Sequence, residues 1–370
     1  MRLLSLLAFA PLLSAQLLYV GTYTKPQSDA EGILAFRFDA KSAKFTPLGM
    51  VAPSTNPSYL AVHPSGKFLY AIQEVDTFEG KRTGSVSAYS IDRATGKLTL
   101  LNQVSSGGPG PCHVSVDGTG KTVLVANYGG GSFASFPVQA DGKLGEAASF
   151  IQEKGSSVNK ERQGAPHGHD IVVTKNNKFA LGADLGTDKV MVFKLDSATG
   201  KITPNSPDAG TVKPGSGPRH MAIAPDQKHV YVLNEMVYTV STMEFDANAG
   251  TLKELAQVSA LPAQFEGNSG AEIEISKDGR FVYSSNRGHD SIAVFAVDPK
   301  TALLTLIQNE PTGGKVPRGF TIDPSGAFLV AGNQRSNTFT LHKVDKASGK
   351  LSPVGEPVKA GAPVSFVFVK

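Results

Sequence analysis

Short apolar runs alternate with tight polar turns along almost the whole chain, and within many runs apolar and polar positions alternate one by one. A period of two predicts β-strands, because helices place apolar residues every three or four positions. Pro, Asp, Asn and Gly at the turns supply the backbone angles that a hairpin reversal requires. Six hairpins share one form, an apolar strand, a polar turn and a second apolar strand, at residues 60–70, 114–124, 171–181, 221–231, 273–283 and 320–330.

A second kind of hairpin has an alternating strand that ends in Asp, then a short turn and another strand. Its seven copies are marked by Asp39, Asp92, Asp141, Asp196, Asp246, Asp298 and Asp345. The missing seventh copy of the first hairpin is supplied if two lone strands, at 17–23 and 363–369, pair with each other. Four-stranded units of about 50 residues are typical of propeller blades. We therefore predict an all-β, seven-bladed β-propeller with four-stranded antiparallel blades, one domain over residues 16–370, whose ring is closed by its N- and C-terminal strands.

The first 15 residues form a separate unit. A positive start at Met1 and Arg2 precedes an almost wholly apolar stretch at 3–13, and small residues lead up to Gln16. This order is typical of a secretory signal peptide, and the apolar stretch is too short to span a bilayer. We expect an exported protein, periplasmic or extracellular, with no membrane anchor after signal cleavage.

Composition excludes several classes of function. The formal charge is only +4, and no block of like charges forms the basic stripe that nucleic-acid binding requires. Cys112 is the only cysteine, which rules out an internal disulfide and a thiolate metal site. His167 and His169 resemble a metal-binding pair, but no third ligand is evident nearby. We expect no metal, no cofactor and no nucleic-acid partner.

Aligning the hairpins through their turns brings equivalent residues of the blades into register. The innermost strands begin with one column of residues, Ser58, Cys112, His169, Arg219, Ala271, Arg318 and Val364. The second strands end with another column, Glu74, Tyr128, Leu185, Glu235, Arg287 and Gln334. The start of one antiparallel strand lies beside the end of the next, so we predict both columns at the same rim of the central channel.

This rim carries charges where a purely structural rim would be apolar. Arg219, Arg287 and Arg318 offer guanidinium groups, which bind carboxylate or phosphate through paired donors. His169 and Glu235 beside them can move protons near neutral pH. The columns therefore predict a site for an anionic ligand that is equipped for acid–base chemistry.

Three further residues, His167, Asn234 and Asn286, are candidates for substrate contacts together with Arg318. Asn recurs at the second-strand ends of several blades, so capping of loop backbone is the alternative role for Asn234 and Asn286. Nothing near Cys112 marks an activated thiol, and we interpret it as a packed residue.

Several short motifs are shared with a known family. They are LYVGTY at 18–23, GPRH at 217–220, LNE at 233–235, SNR at 285–287 and PRGF at 317–320. The chain from Gln16 onwards resembles the seven-bladed propeller lactonases, which include bacterial 6-phosphogluconolactonases of the propeller type and fungal carboxy-muconate lactonizing enzymes. The resemblance implies metal-independent hydrolysis of a small lactone, with His169, Arg219, Glu235 and Arg287 as the catalytic set. His167 is the alternative candidate for the catalytic histidine, and the register favours His169.

On this hypothesis Glu235 activates water and His169 passes a proton to the leaving alkoxide of an anionic lactone, in a monomeric enzyme. A phosphogluconolactonase of central metabolism belongs in the cytosol, whereas this chain carries an export signal, so an unphosphorylated sugar lactone or a carboxylated lactone has equal standing. Two alternatives stay open. One is a non-catalytic exported propeller that binds an anionic ligand or a protein partner; the other is a muconate-type cycloisomerase that closes the ring instead of opening it.

Overall fold

The computed structural model describes residues 15–263 and 265–369. The predicted signal peptide, residues 1–15, lies outside the described residues except for Ala15. The described chain forms seven antiparallel sheets of four strands each and a single 3-10 turn, Gln334–Ser336. Among these residues, no helix combines the length and the apolar character that crossing a membrane demands.

Each sheet is one blade of a propeller. Blade 1 combines β1 (Gln16–Thr22), β2 (Gly32–Asp39) and β3 (Lys44–Pro53) with the last strand of the chain, β28 (Pro363–Val369). Blade 2 contains β4 (Leu60–Val62), β5 (Phe68–Gln73), β6 (Ser85–Ile91) and β7 (Leu98–Ser105). Blade 3 contains β8 (Pro111–Val116), β9 (Thr122–Asn127), β10 (Ser132–Pro137) and β11 (Ser149–Gln152). Blade 4 contains β12 (Gly168–Val173), β13 (Phe179–Asp184), β14 (Lys189–Asp196) and β15 (Lys201–Thr211).

The remaining blades follow the same order along the chain. Blade 5 contains β16 (Pro218–Ile223), β17 (His229–Asn234), β18 (Thr239–Asp246) and β19 (Thr251–Ser259). Blade 6 contains β20 (Ser269–Ile275), β21 (Phe281–Arg287), β22 (Ser291–Val297) and β23 (Leu304–Pro311). Blade 7 contains β24 (Pro317–Ile322), β25 (Phe328–Asn333), β26 (Thr338–Val344) and β27 (Leu351–Lys359).

The innermost strands meet around a central channel. Each of β4, β8, β12, β16, β20, β24 and β28 contacts the innermost strand of the next blade, and β28 contacts β4 to complete the circle. Blade 1 takes its innermost strand from the C-terminus, where β28 pairs with β1 from Leu17 opposite Val369 to Thr22 opposite Pro363. The predicted seven-bladed fold and its closure by the two terminal strands are confirmed.

Regular contacts join one blade to the next. Tyrosines on second strands are buried, and each hydroxyl donates to a carbonyl in the outer turn of the following blade: Tyr19 to Gly96, Tyr70 to Gly142, Tyr231 to Ala302 and Tyr283 to Gly349. The Asp that ends each third strand holds that turn, as Asp92 does by accepting the N–H groups of Ala94 and Thr95.

The two mouths of the channel differ. The upper mouth is formed by the starts of the innermost strands, where the two predicted columns lie. At the lower mouth, a cavity of about 540 Å³ opens between Tyr59, His63, Glu274, Ile322 and Phe366. The upper mouth holds the charged residues that the sequence singled out.

Candidate active site

Glu235 is the centre of the charged cluster at the upper mouth. Its Oε2 atom lies 3.0 Å from Arg219 Nε and 3.0 Å from Arg287 Nη2. His169 Nε2 is 3.9 Å from the same oxygen. The other oxygen, Oε1, accepts a hydrogen bond of 2.7 Å from Arg162 Nη2. The four residues of the predicted catalytic set are therefore brought together, from blades 4, 5 and 6.

A β-bulge at the start of the innermost strands positions these side chains. In blade 4, Gly168 pairs with Asp184 and Asp170 with Ala183, which leaves His169 without a partner on β13. The same irregularity leaves the equivalent residue unpaired in five other blades, at Cys112, Arg219, Ala271, Arg318 and Val364. A bulge re-aims the side chain of its extra residue, and here it directs one residue per blade towards the channel.

The two arginines of the set are held by backbone carbonyls as well as by Glu235. Arg219 is 2% exposed and its Nη1 also donates to the Ala271 carbonyl. Arg287 Nη2 donates to the Gly270 carbonyl at 2.7 Å. Both guanidinium groups are thus fixed in place, and Arg287 has a buried Nε–H without a partner among the described residues.

The charges around Glu235 set its ionisation. Burial alone opposes the charged form, but the guanidinium groups of Arg287, Arg219 and Arg162 outweigh it and hold the pKa of Glu235 well below its usual range. Burial, followed by the nearby charge of Arg219, lowers the pKa of His169 well below its ordinary value. At neutral pH the site therefore presents a carboxylate beside a neutral imidazole.

Arg318 faces the same mouth from blade 7. Its guanidinium lies 5.3 Å from the ring centre of Tyr23 and makes no hydrogen bond or ion pair with the described residues. The Tyr23 hydroxyl donates to Glu74 Oε2 at 2.8 Å, and the Ser58 hydroxyl donates to the same oxygen at 2.5 Å. Arg318 thus offers unpaired donors at the mouth, two blades away from Glu235.

The other three predicted site residues are placed differently. His167 stacks on Tyr128 at 4.5 Å between ring centres, and its Nδ1 is 2.9 Å from the Tyr128 carbonyl oxygen. Asn234 and Asn286 are fully buried and donate inside their own blades, to Ser241 Oγ at 2.8 Å and to Ser291 Oγ at 3.3 Å. The two asparagines are not brought to the site, and their geometry suits the alternative of structural support.

A second polar layer lies directly below the first. It is formed by the residues that follow the first column in blades 2 to 6, Tyr59, His113, Asp170, His220 and Glu272. His113 Nε2 is 3.0 Å from Asp170 Oδ1, and His220 Nδ1 is 2.7 Å from Glu272 Oε1. The His220 ring meets that of His169 edge to face, 5.1 Å between centres, so this layer supports the site from beneath.

Sequence reasoning missed this layer and also Arg162. The layer had a signal, because shifting the first column by one residue gives Tyr, His, Asp, His and Glu in five successive blades. Arg162 had none, since it lies in the long connection between β11 and β12, outside the repeat. Among residues 15–263 and 265–369, no group of three or more His, Cys, Asp and Glu side chains is arranged to hold a metal ion.

Comparison with known proteins agrees with the fold. Residues 17–368 match a family described as "Lactonase, 7-bladed beta-propeller". The chain is 39% identical to a 6-phosphogluconolactonase of Bacillus subtilis, over 95% of this chain and 97% of that protein. It is 36% identical to a 6-phosphogluconolactonase of Formosa agariphila, over 90% and 94%. The solved structure of a periplasmic gluconolactonase of Pseudomonas aeruginosa superposes with a TM-score of 0.88 at 31% identity, covering 96% of this chain and 99% of that one.

Proposed function

The chain belongs to the family of seven-bladed β-propeller lactonases, and from this premise we propose that it opens the ester ring of a sugar lactone by metal-independent acid–base catalysis at the upper mouth. Lactone hydrolysis needs a group that takes a proton from water, a group that returns it to the ring oxygen, and donors for the oxyanion. The cluster around Glu235 contains all three. The membership of the chain in a lactonase family supports hydrolysis as the reaction class of this cluster.

We assign the first proton transfer to Glu235. The carboxylate accepts a proton from a water molecule, whose oxygen forms a bond to the lactone carbonyl carbon. The proton then passes to His169 Nε2, 3.9 Å from Glu235 Oε2. His169 delivers it to the ring oxygen as the carbon–oxygen bond of the ester breaks, which yields the hydroxy acid. Burial keeps His169 neutral, so one ring nitrogen has a lone pair for the proton, and the lowered pKa makes the protonated ring release it readily to the ring oxygen.

The arginines stabilise the negative charge that develops on the carbonyl oxygen. Arg287 is the better placed, because its side chain is 15% exposed, whereas that of Arg219 is 2% exposed. Arg219 holds Glu235 in position through Nε and is itself held by the Ala271 carbonyl. A fixed donor costs no reorganisation when charge develops, which is the source of oxyanion stabilisation in enzymes.

The substrate we propose is a sugar lactone that carries an anionic group. Arg318 supports this choice, since its guanidinium faces the mouth without a hydrogen-bond partner among the described residues. We also propose that the protein is exported: residues 1–15 have the order of a signal peptide, and a structural neighbour is a periplasmic gluconolactonase. The observation that carries the proposal is the meeting of Glu235, His169, Arg219 and Arg287 at one mouth.

Hydrolysis can be followed by alkali uptake at constant pH with gluconolactone, its 6-phosphate and muconolactone. We expect Glu235→Gln to lower the rate about a hundredfold or more, because the amide accepts no proton from water. Glu254→Gln is the matched control: Glu254 accepts a hydrogen bond from Ser241 on the outer part of blade 5, away from the site. The assignment is wrong if Glu235→Gln opens these lactones as fast as the wild type. A protein that forms muconolactone without opening any lactone is a cycloisomerase instead.

A further inference from the structure

Arg162 differs from every other residue that contacts Glu235. It lies on the connection between β11 and β12, and its side chain is 45% exposed, whereas those of Arg219 and Arg287 are almost entirely buried. Its Nη2 atom donates to Glu235 Oε1 at 2.7 Å and to the Tyr128 hydroxyl at 3.2 Å. Arg162 therefore reaches across the mouth from the solvent side.

The backbone beneath Arg162 is well fixed. Asn159 Oδ1 accepts the N–H groups of Glu161 and Arg162, both at 3.1 Å. Gln163 is fully buried, and its Nε2 donates to the Leu185 carbonyl at 2.9 Å. The loop can hold its shape while only the end of the Arg162 side chain moves.

Both carboxylate oxygens of Glu235 are occupied in this arrangement. Oε2 faces Arg219 and Arg287, which are also bound to backbone carbonyls, whereas Oε1 faces Arg162. A water molecule that gives its proton to Oε1 takes the place of the Arg162 donor. Arg162 makes no hydrogen bond to a backbone carbonyl among the described residues, so it is the arginine that can leave at least cost.

The net charge of the cluster indicates which kind of ligand group displaces Arg162 from Glu235. One carboxylate faces three guanidinium groups. At the same mouth Arg318 adds a fourth guanidinium and Glu74 a second carboxylate, which still leaves an excess of positive charge. This excess of positive charge attracts an anionic group of a ligand. Such a group can accept two hydrogen bonds from Arg162, as a carboxylate does, and so replaces Glu235 as its partner.

We propose that Arg162 is a specificity-determining residue that leaves Glu235 to bind the phosphate or carboxylate of the lactone, so that an anionic substrate itself frees Glu235 Oε1 for the attacking water. This inference rests on the proposed function of Glu235. It assigns lactones with an anionic substituent as the preferred class, and it makes neutral lactones poor substrates because they leave the carboxylate covered.

The variant Arg162→Met tests this, with Lys160→Met as the matched control, since Lys160 is an exposed cation on the same loop. The measurement is kcat/KM for 6-phosphogluconolactone and for gluconolactone, above the spontaneous rate. For Arg162→Met we expect a loss of about ten- to a hundredfold on the phosphorylated lactone, the usual effect of losing one charged hydrogen bond. The value for gluconolactone should rise, because Glu235 is no longer covered, and Lys160→Met should change neither.

Equal losses on both lactones would mean that Arg162 only supports the structure, and they overturn the proposal. A second measurement needs no turnover: calorimetric binding of the products 6-phosphogluconate and gluconate. Both products carry the carboxylate formed by ring opening, so their comparison isolates the 6-phosphate. Arg162→Met should weaken the binding of 6-phosphogluconate at least about tenfold more than that of gluconate; equal effects on the two products overturn the proposal. If the wild type opens no lactone, the proposed function fails, and the binding measurement still decides the role of Arg162.

Discussion

Two glutamates in neighbouring layers of the channel have pKa values that are shifted in opposite directions. Glu235 is surrounded by guanidinium groups, which hold its pKa far below the usual range despite burial. Glu272 is equally buried, but Arg219 offsets only part of the cost, so burial raises the pKa of Glu272 to about 7. Environments that shift the pKa values of two carboxyl groups in opposite directions are typical of acid–base sites. Here the upper glutamate is charged at neutral pH and the lower one is close to its midpoint.

Glu272 should make the stability of the protein fall as the pH rises. Its pKa is about 7 in the folded protein and near 4.5 when exposed, so the folded state keeps a proton that the unfolded chain has released between these values. The stabilisation is full below about pH 4.5 and is lost as the pH rises through 7, an effect of about 3 kcal/mol. Glu272→Gln, which keeps an acceptor for His220, should remove this part of the pH dependence.

The test is urea unfolding followed by far-UV circular dichroism between pH 5 and 8. The imidazoles of His113 and His220 have pKa values that are lowered by burial, so their stabilisation is lost on the acidic side, below about pH 6.5. Asp170, whose pKa burial raises well above its usual value, contributes in the same direction as Glu272. Comparing each variant with the wild type isolates the effect of residue 272, and Glu254→Gln should leave the profile unchanged. Parallel profiles for wild type and Glu272→Gln contradict the prediction.

At the scale of the strand, the bulge explains both what the sequence could predict and what it could not. The turn register placed His169, Arg219 and Arg318 at the start of innermost strands, and Glu235 after a second strand, because these positions depend only on the repeat. A regular strand sends consecutive residues to opposite faces. Only the bulge lets Asp170 join the channel directly after His169, and a repeat pattern contains no sign of it.

Arg162 marks the other limit of sequence reasoning. The connection that carries it has no counterpart in the other blades, so no register relates it to the rim. Its position depends on contacts made by Asn159 and Gln163 in three dimensions. Asn234 and Asn286 show the reverse case: the register placed them at the rim, but hydrogen bonds to Ser241 and Ser291 turn their amides into the blades.

The strand β24 contains a glycine that the closing strand requires. A Cβ atom on Gly319 would collide with the backbone carbonyl of Val364 in β28, and backbone cannot yield as a flexible side chain can. Gly319→Ala should therefore push blade 7 away from β28 and lower the free energy of unfolding by about 1–3 kcal/mol. Gly118→Ala is the matched control, because the added methyl meets only the end of the Asn177 side chain, at 3.2 Å. Urea unfolding should separate the two variants, and equal stabilities speak against this close approach.

At the scale of the molecule, the C-terminal strand β28 closes the ring of blades. β28 forms the channel edge of blade 1 and lies between β24 and β4. Phe366 and Phe368 belong to an apolar cluster that also contains Phe38 of blade 1 and Phe339 of blade 7. The seam where the chain ends meet is therefore packed like the rest of the core, and β28 covers the edge of β1 that would otherwise be unpaired.

Removing residues 363–370 should destroy the cooperative fold. The deletion exposes the inner edges of β1 and removes Val364, Phe366, Phe368 and Val369, which are all buried. Burying each such side chain contributes about 1.5–3 kcal/mol, so the four together approach the entire stability of a typical folded protein, about 5–15 kcal/mol. A circular permutant that links residue 370 to residue 16 through a short Gly–Ser linker and opens the exposed turn at 197–200 is the control, because it keeps β28 while moving the chain ends. Thermal unfolding by circular dichroism should show a sharp transition for the permutant and none for the truncated chain. A truncated chain that melts like the permutant would show that the blades hold together without the closing strand.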